Sequence, residues 1–222
     1  MQLSLDKDDL KDYITKQVNN YFPDKFLIKT SDVDKILTNS LNRTEYCFSH
    51  IKLKYYNYDG NTRFNHLNSE HYGMFLWFLS NEAYLKNNIN LAEKLFYLNK
   101  SLNGLDAFYS IKLPDIFLLH HPVGSVIGNA HYENYLTVYQ NVTIGSSKEG
   151  IYPILSKGVS LMSKASIIGN CKIGKNVTLA AGAAVVNEDV PDDTLVFGQS
   201  RNLVFKKEKM PEKERIYNEL RE

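Results

Sequence analysis

From Leu161 to Val185 every sixth residue is aliphatic: Leu161, Ile167, Ile173, Leu179 and Val185 open the segments LMSKAS, IIGNCK, IGKNVT, LAAGAA and VVNEDV. A period of six matches neither the turn of a helix nor the alternation of a lone strand. The ladder therefore predicts a β-solenoid whose coils have six-residue sides. The fifth place of each segment holds Ala165, Cys171, Val177, Ala183 and Asp189, mostly small, as a narrow tube requires beside an inward aliphatic side chain. Gly169, Asn170, Gly174, Asn176 and Gly182 fall at the expected corners, where turn-permitting residues belong.

Upstream, Leu119, Leu136 and Val142 join the same phase if one residue is missing between Asn129 and Tyr135, which starts the solenoid near Leu113. The phase breaks at SSKEGIYP, residues 146–153, and resumes at Leu155. That stretch is rich in Gly, Ser and charge, so it should leave the tube as an exposed loop, where a rigid solenoid carries its substrate contacts.

Before residue 110 the pattern turns helical. It predicts four helices, about Leu5 to Tyr21, Asp32 to Ser49, Glu70 to Lys86 and Leu91 to Asn103. Leu10, Ile14, Val18 and Tyr21 share a face of the first, and Val33, Ile36, Leu37 and Leu41 a face of the second. Met74 to Leu79 (MFLWFL) is helical core or a subunit contact. Asn90 and Glu93 are spaced as a capping box for the fourth helix, and Gly104 is placed to end it. Asp59-Gly60 suggests a turn in the Tyr-rich segment between the second and third. The chain thus reads as a helical domain over 1–110, a β-helix over 111–205 and a charged tail over 206–222, an α+β arrangement.

Composition narrows the function. Among 222 residues, Lys plus Arg number 26 and Asp plus Glu 25, so there is no global field to draw in nucleic acid or an anionic membrane. Two cysteines, Cys47 and Cys171, give neither a disulfide framework nor a zinc cluster, and a reducing cytoplasm is expected. The start MQLSLDKDDLKDY lacks the basic and apolar stretches of a signal peptide, and no apolar run approaches the length needed to cross a bilayer. A soluble protein without membrane insertion is expected. There is no Walker loop, G-x-S-x-G elbow or H-E-x-x-H, and His50, His66 and His71 lack ligand spacing and read as structural.

The order LLHHPVGSVIG, TVYQNVTIG, loop, hexad ladder and closing FGQSRN, from about Leu113 to Phe205, resembles the hexapeptide-repeat acyltransferases, in particular their serine acetyltransferase-like branch. That resemblance implies a left-handed parallel β-helix working as a homotrimer or a dimer of trimers. It also implies acetyl-CoA as donor, no metal, and direct transfer to an acceptor hydroxyl or amine. Such a transfer needs a general base, and histidine suits that role at neutral pH. The family's base lies in a D-H-x-x-G context, which aligns with His120-His121-Pro122-Val123-Gly124 and makes His121 the base.

Two departures from the family follow. His120 stands where the family has Asp; it either orients His121, shares its role, or is a surface residue. An orienting carboxylate has to come from elsewhere, Asp115 and Glu133 being nearest in sequence. In the loop, Ile151-Tyr152-Pro153 replaces an Arg-His-Pro that grips the amino-acid substrate, which removes the partner for a substrate carboxylate. Tyr152 either stacks on a sugar or packs the loop against a neighbouring subunit; Tyr139 and Glu133 are further candidates for acceptor contact.

The donor groove is expected at Gly145, Ser163 and Ala181, with Lys206 and Lys207 toward the CoA phosphates. The expected activity is O-acetylation of a sugar in capsule or O-antigen assembly. The alternatives are serine O-acetylation, N-acetylation of an amino sugar, or a trimeric scaffold that has lost its base.

Overall fold

A computed structural model describes residues 1–148 and 150–218; positions 219–222 of the charged tail lie outside the described residues. A helical N-terminal region followed by a parallel β-solenoid is borne out. The helices are α1 (Lys7–Tyr21), α2 (Thr30–Ser49), α3 (Ser69–Leu85) and α4 (Ile89–Asn103), with a short α5 (Glu212–Ile216) after the coils. The ends of α1, α2 and α4 at Tyr21, Ser49 and Asn103 are as expected, and the other ends of α1 to α4 differ by one or two residues. α4 starts earlier because Asn88, not Asn90, is its cap, accepting from Leu91 N at 3.2 Å. Gly104 closes it in the left-handed region at φ 62°.

Leu10, Ile14 and Val18 are buried on α1 as the spacing predicts, but Tyr21 is exposed at the helix end. α3 differs in kind from the other three. Thirteen of its residues, His71 to Ala83, are buried, so MFLWFL is core, and each large side chain contributes about 1.5–3 kcal/mol of burial. Between α2 and α3, strands Asn57–Tyr58 and Asn61–Phe64 form an antiparallel hairpin. Asp59 and Gly60 turn it with positive φ, the geometry that matches strand twist.

The solenoid has three faces. The first carries Phe117–Leu119, Leu136–Val138, Ser160–Leu161, Thr178–Leu179 and Thr194–Phe197, with Val204–Lys207 added antiparallel at the edge. The second carries Asp106–Ala107, Val126–Ile127, Thr143–Gly145, Ser166–Ile168 and Ala184–Val186. The third carries His131–Tyr132, Ile154–Leu155 and Lys172–Ile173. The tube thus begins at Asp106, ahead of Leu113, because Asp106–Ala107 already pairs with Val126–Ile127.

Leu161, Ile167, Ile173, Leu179 and Val185 are all buried, as are Ala165, Cys171, Val177 and Ala183. Asp189 is instead exposed and accepts from Lys172 N at 2.7 Å. Leu161 stacks on Leu179, 18 residues on, whereas Tyr132 stacks on Leu155, 23 on. The five extra residues fall within the loop at 146–153, where Lys148 and Ile151 form a bridge. The phase slips twice more around Leu119. Leu119 aligns with Val138 and Ile127 with Ile144, so the side Leu119 to Ile127 has eight residues and Ile127 to Tyr132 five.

Candidate active site

The eight-residue side is the one that contains HHPVG, and its two extra residues push a corner outward. α4 pins this corner, with Gly124 N donating to Gly104 O at 2.9 Å. Gly124 has φ +74°, and a Cβ there would stand 2.5 Å from Asn141 Oδ1, so the corner excludes a larger residue. His121 itself sits at φ 50°, an uncommon conformation for a residue with a β-carbon and one that clusters at functional sites. The turn aims its ring back toward the helices.

There the ring meets α3. Glu70 lies in the first turn, behind the cap Asn68, whose side chain accepts from Glu70 N and His71 N. Glu70 Oε2 accepts from His120 Nδ1 at 3.1 Å, and His121 Nδ1 stands in close contact with Glu70 Oε1 at 2.7 Å. The Tyr56 hydroxyl adds a longer contact to Oε2 at 3.4 Å. Burial alone raises the Glu70 carboxyl, but the His120 hydrogen bond and the charges of both imidazoles outweigh it and hold the group below the usual range. The helix N-terminus favours the same anion.

With Nδ1 of His121 against Glu70, Nε2 is the ring nitrogen left for a substrate, and two-thirds of that side chain is exposed (66%). This is the posture of a general base beside an orienting carboxylate. The ligand-type atoms of Glu70, His120 and His121 lie within 4.8 Å of one another. The carboxylate already accepts from the His120 imidazole and is in contact with that of His121, so its oxygens are engaged by the two rings.

His120 also meets Tyr139 edge to face, ring centroids 5.1 Å apart. Tyr139 heads a groove of about 390 Å³ along the same corner, lined by Ser163, Ala181, Phe197, Met210 and Glu212. Its hydroxyl donates to Glu212 Oε1 at 2.6 Å and accepts from Arg215 Nη2 at 2.9 Å. Glu212 and Arg215 form an ion pair within α5. Burial raises and Arg215 lowers the Glu212 carboxyl, and the net shift is downward. α5 is held here by Tyr217, buried, whose hydroxyl donates to Leu136 O at 2.6 Å, while Ile51 bridges its backbone.

The structure therefore gathers His120, His121, Tyr139, Ser163 and Ala181 along one corner. Gly145 and Tyr152 stand on the next corner, after the second face, and Tyr152 is exposed. Lys206 reaches the groove mouth, its Nζ 5.2 Å from the Phe197 ring centre, while Lys207 is exposed beside it. Glu133 and Asp115, the carboxylates nearest in sequence, are not brought to His121. They line a separate cavity of about 470 Å³ with Lys112, His131 and Lys157, where Glu133 accepts from Lys157 N at 2.8 Å. The carboxylate at His120 and His121 comes from 50 residues before His120, in the helical region.

Sequence reasoning missed Glu70, Glu212 and Arg215. The only local signal for Glu70 is an acidic residue behind an Asn cap, which many helices show. His50, at the end of α2, hydrogen-bonds back to Tyr46 O, and His66 to Ser4 Oγ, 62 residues away. His71 accepts from Asn65 N and is pushed down to about 4 by burial among Phe48, Tyr56 and Phe64. Cys47 is buried and its thiol is pushed up to about 12, so it is no nucleophile. No helix among the described residues is long and apolar enough to cross a membrane.

No family model matches the chain. It is 31% identical over 116 residues to a serine acetyltransferase of Synechococcus elongatus, an alignment covering 50% of this chain and 47% of that protein. The chain thus spans about half the length of that curated relative. Its fold is that of the Neisseria gonorrhoeae serine acetyltransferase, with a TM-score of 0.69 at 22% identity over 93% of this chain and 82% of that one, a protein also solved in complex with serine. A serine acetyltransferase solved in complex with CoA superposes with a TM-score of 0.63 at 16% identity, over 80% of this chain and 75% of that one. The resemblance to the left-handed β-helix acyltransferases of the serine acetyltransferase type is borne out.

Proposed function

We propose that this chain is an acetyl-CoA-dependent O-acetyltransferase acting on the hydroxyl of serine, with His121 as general base and Glu70 as its orienting carboxylate. The observation that carries the reading is the 2.7 Å contact from Glu70 Oε1 to His121 Nδ1, which leaves Nε2 free as a base. A carboxylate at this place supports an active enzyme over an inactive scaffold, since His120 cannot supply one. The named relatives favour the amino acid over the sugar acceptor expected from Ile151 and Tyr152.

Acetyl-CoA would supply an activated thioester. Ser163 and Ala181 offer the small side chains that let a pantetheine arm lie near the backbone, and Lys206 stands toward its phosphates. His121 Nε2 takes the acceptor proton as the hydroxyl oxygen bonds to the thioester carbon, then delivers it to sulfur as the C–S bond breaks. Glu70 holds the ring in register and stabilises the imidazolium formed in between. Gly145 and Tyr152 stand on a different corner from His121, so they complete the groove from an adjacent copy, as in a homotrimer. The helical region of residues 1–110 is part of the catalytic unit, since Glu70 belongs to it.

Release of free CoA thiol from acetyl-CoA by the purified protein, with L-serine set against sugars, nucleotide sugars and amino sugars, tests this directly. Turnover with serine is expected. Turnover with a carbohydrate alone would overturn the acceptor, and silence throughout, with no acetyl-CoA binding by calorimetry, would overturn the enzyme.

A further inference from the structure

If the acceptor is an amino acid, its carboxylate needs a cation, and the loop position where the resemblance places one holds Ile151. Serine at neutral pH also carries an ammonium, which needs an anion. The corner that holds His120 and His121 has one such opposite pair beside it, Glu212 and Arg215, brought in by α5. Both are seated on the Tyr139 hydroxyl, and the Tyr139 ring meets His120 edge-on at 5.1 Å. Glu212 lines the groove with Ser163 and Ala181.

Arg215 uses Nε and Nη2 on Glu212 and Tyr139, so among the described residues its Nη1 is left without a partner, on a side chain about half exposed (54%). A guanidinium with an open edge matches a carboxylate fork. Glu212 accepts from Arg215 through both oxygens and from Tyr139 through Oε1, and each carboxylate oxygen has a second lone pair.

We infer that the Glu212–Arg215 pair, seated on Tyr139 beside the two histidines, is the subsite for the zwitterionic head of the acceptor, Arg215 taking the carboxylate and Glu212 the ammonium. This assignment rests on the amino-acid reading of the function and deepens it. It restores on α5 the cation that the loop lacks. Tyr139 sets the spacing between the subsite and the base.

Steady-state kinetics on the purified full chain, with L-serine, ethanolamine (no carboxylate) and 3-hydroxypropionate (no ammonium) as acceptors, tests it. Arg215→Gln should raise KM for serine by about 10- to 100-fold, the loss of one charged hydrogen-bonded contact, with kcat and the acetyl-CoA KM little changed. Its preference for serine over ethanolamine should collapse, and Glu212→Gln should likewise lose the preference for serine over 3-hydroxypropionate. If Arg215→Gln does not fold, Arg215→Lys, which keeps the charge without the fork, should show a weaker form of the same change in ratio.

If the acceptor ratios stay as in the wild type while serine is turned over, the pair is a strut that fastens α5; the inference falls and the proposed function stands. A wild-type protein that does not acetylate serine removes both.

Discussion

The two halves of this molecule are built by opposite logics. In the solenoid, a residue's surroundings repeat: Leu179 stacks between Leu161 and Val196, and the same arrangement recurs along each face. In the helical region nothing repeats, and α3 is buried around most of its circumference. Regularity gives the coils a stable groove but only flat faces, while the irregular half supplies Glu70, a largely buried carboxylate beside the two histidines. The candidate site lies where the two meet, base from one and carboxylate from the other.

The sharpest way to break this comparison is to remove each contribution in turn. His121→Ala should lower turnover by on the order of 10²–10⁴ with acetyl-CoA binding retained. Glu70→Gln should cost on the order of 10² or more, by freeing the ring's tautomer and removing the charge that stabilises the imidazolium. CoA release and calorimetry read both. An active His121→Ala would end the assignment of the base, and a fully active Glu70→Gln would make the helical half a bystander.

Packing provides the next test. Leu179→Ala should destabilise by about 2–5 kcal/mol, since its neighbours are coils locked in register on both sides and cannot collapse into the void. Chemical denaturation measures it; a loss under about 1 kcal/mol would mean that the tube is looser than its register suggests.

The smallest effect belongs to the helical half and appears only in acid. His71 titrates at about 4 in the fold against an ordinary value of 6.5, so the unfolded chain binds more protons between these values. Stability from His71 is fully present above pH 6.5 and is lost as pH falls toward 4, by about 3 kcal/mol at the end of that range. Denaturation midpoints across that window should fall with pH in the wild type, and a His71→Asn variant should lack this portion of the slope.

The same contrast explains what the sequence made legible. The hexads are visible because inward positions repeat at a fixed spacing, and the loop is visible because it interrupts them. His121 could be placed because its motif is continuous in the chain. Glu70 could not, since nothing local to Asn68-Ser69-Glu70 says that the turn will face a corner 50 residues on. Asp115 and Glu133, the carboxylates nearest in sequence, are carried by the solenoid's rotation to a different corner. Arg215 and Glu212 were hidden within a charged tail, where most charges are simply solvated. The two candidate caps of α4, Asn88 and Asn90, are of the same type two positions apart, and only the backbone decides between them.

The carboxylate supplied from α3 also carries an evolutionary consequence. If Glu70 orients His121 as proposed, positions 120 and 70 compensate each other: a chain with Asp in the first motif place has no need of Glu at the helix start, and one with His there does. Among relatives of this chain the two positions should exchange together. A His120→Asp substitution built into this background should tolerate loss of Glu70 that the natural chain does not.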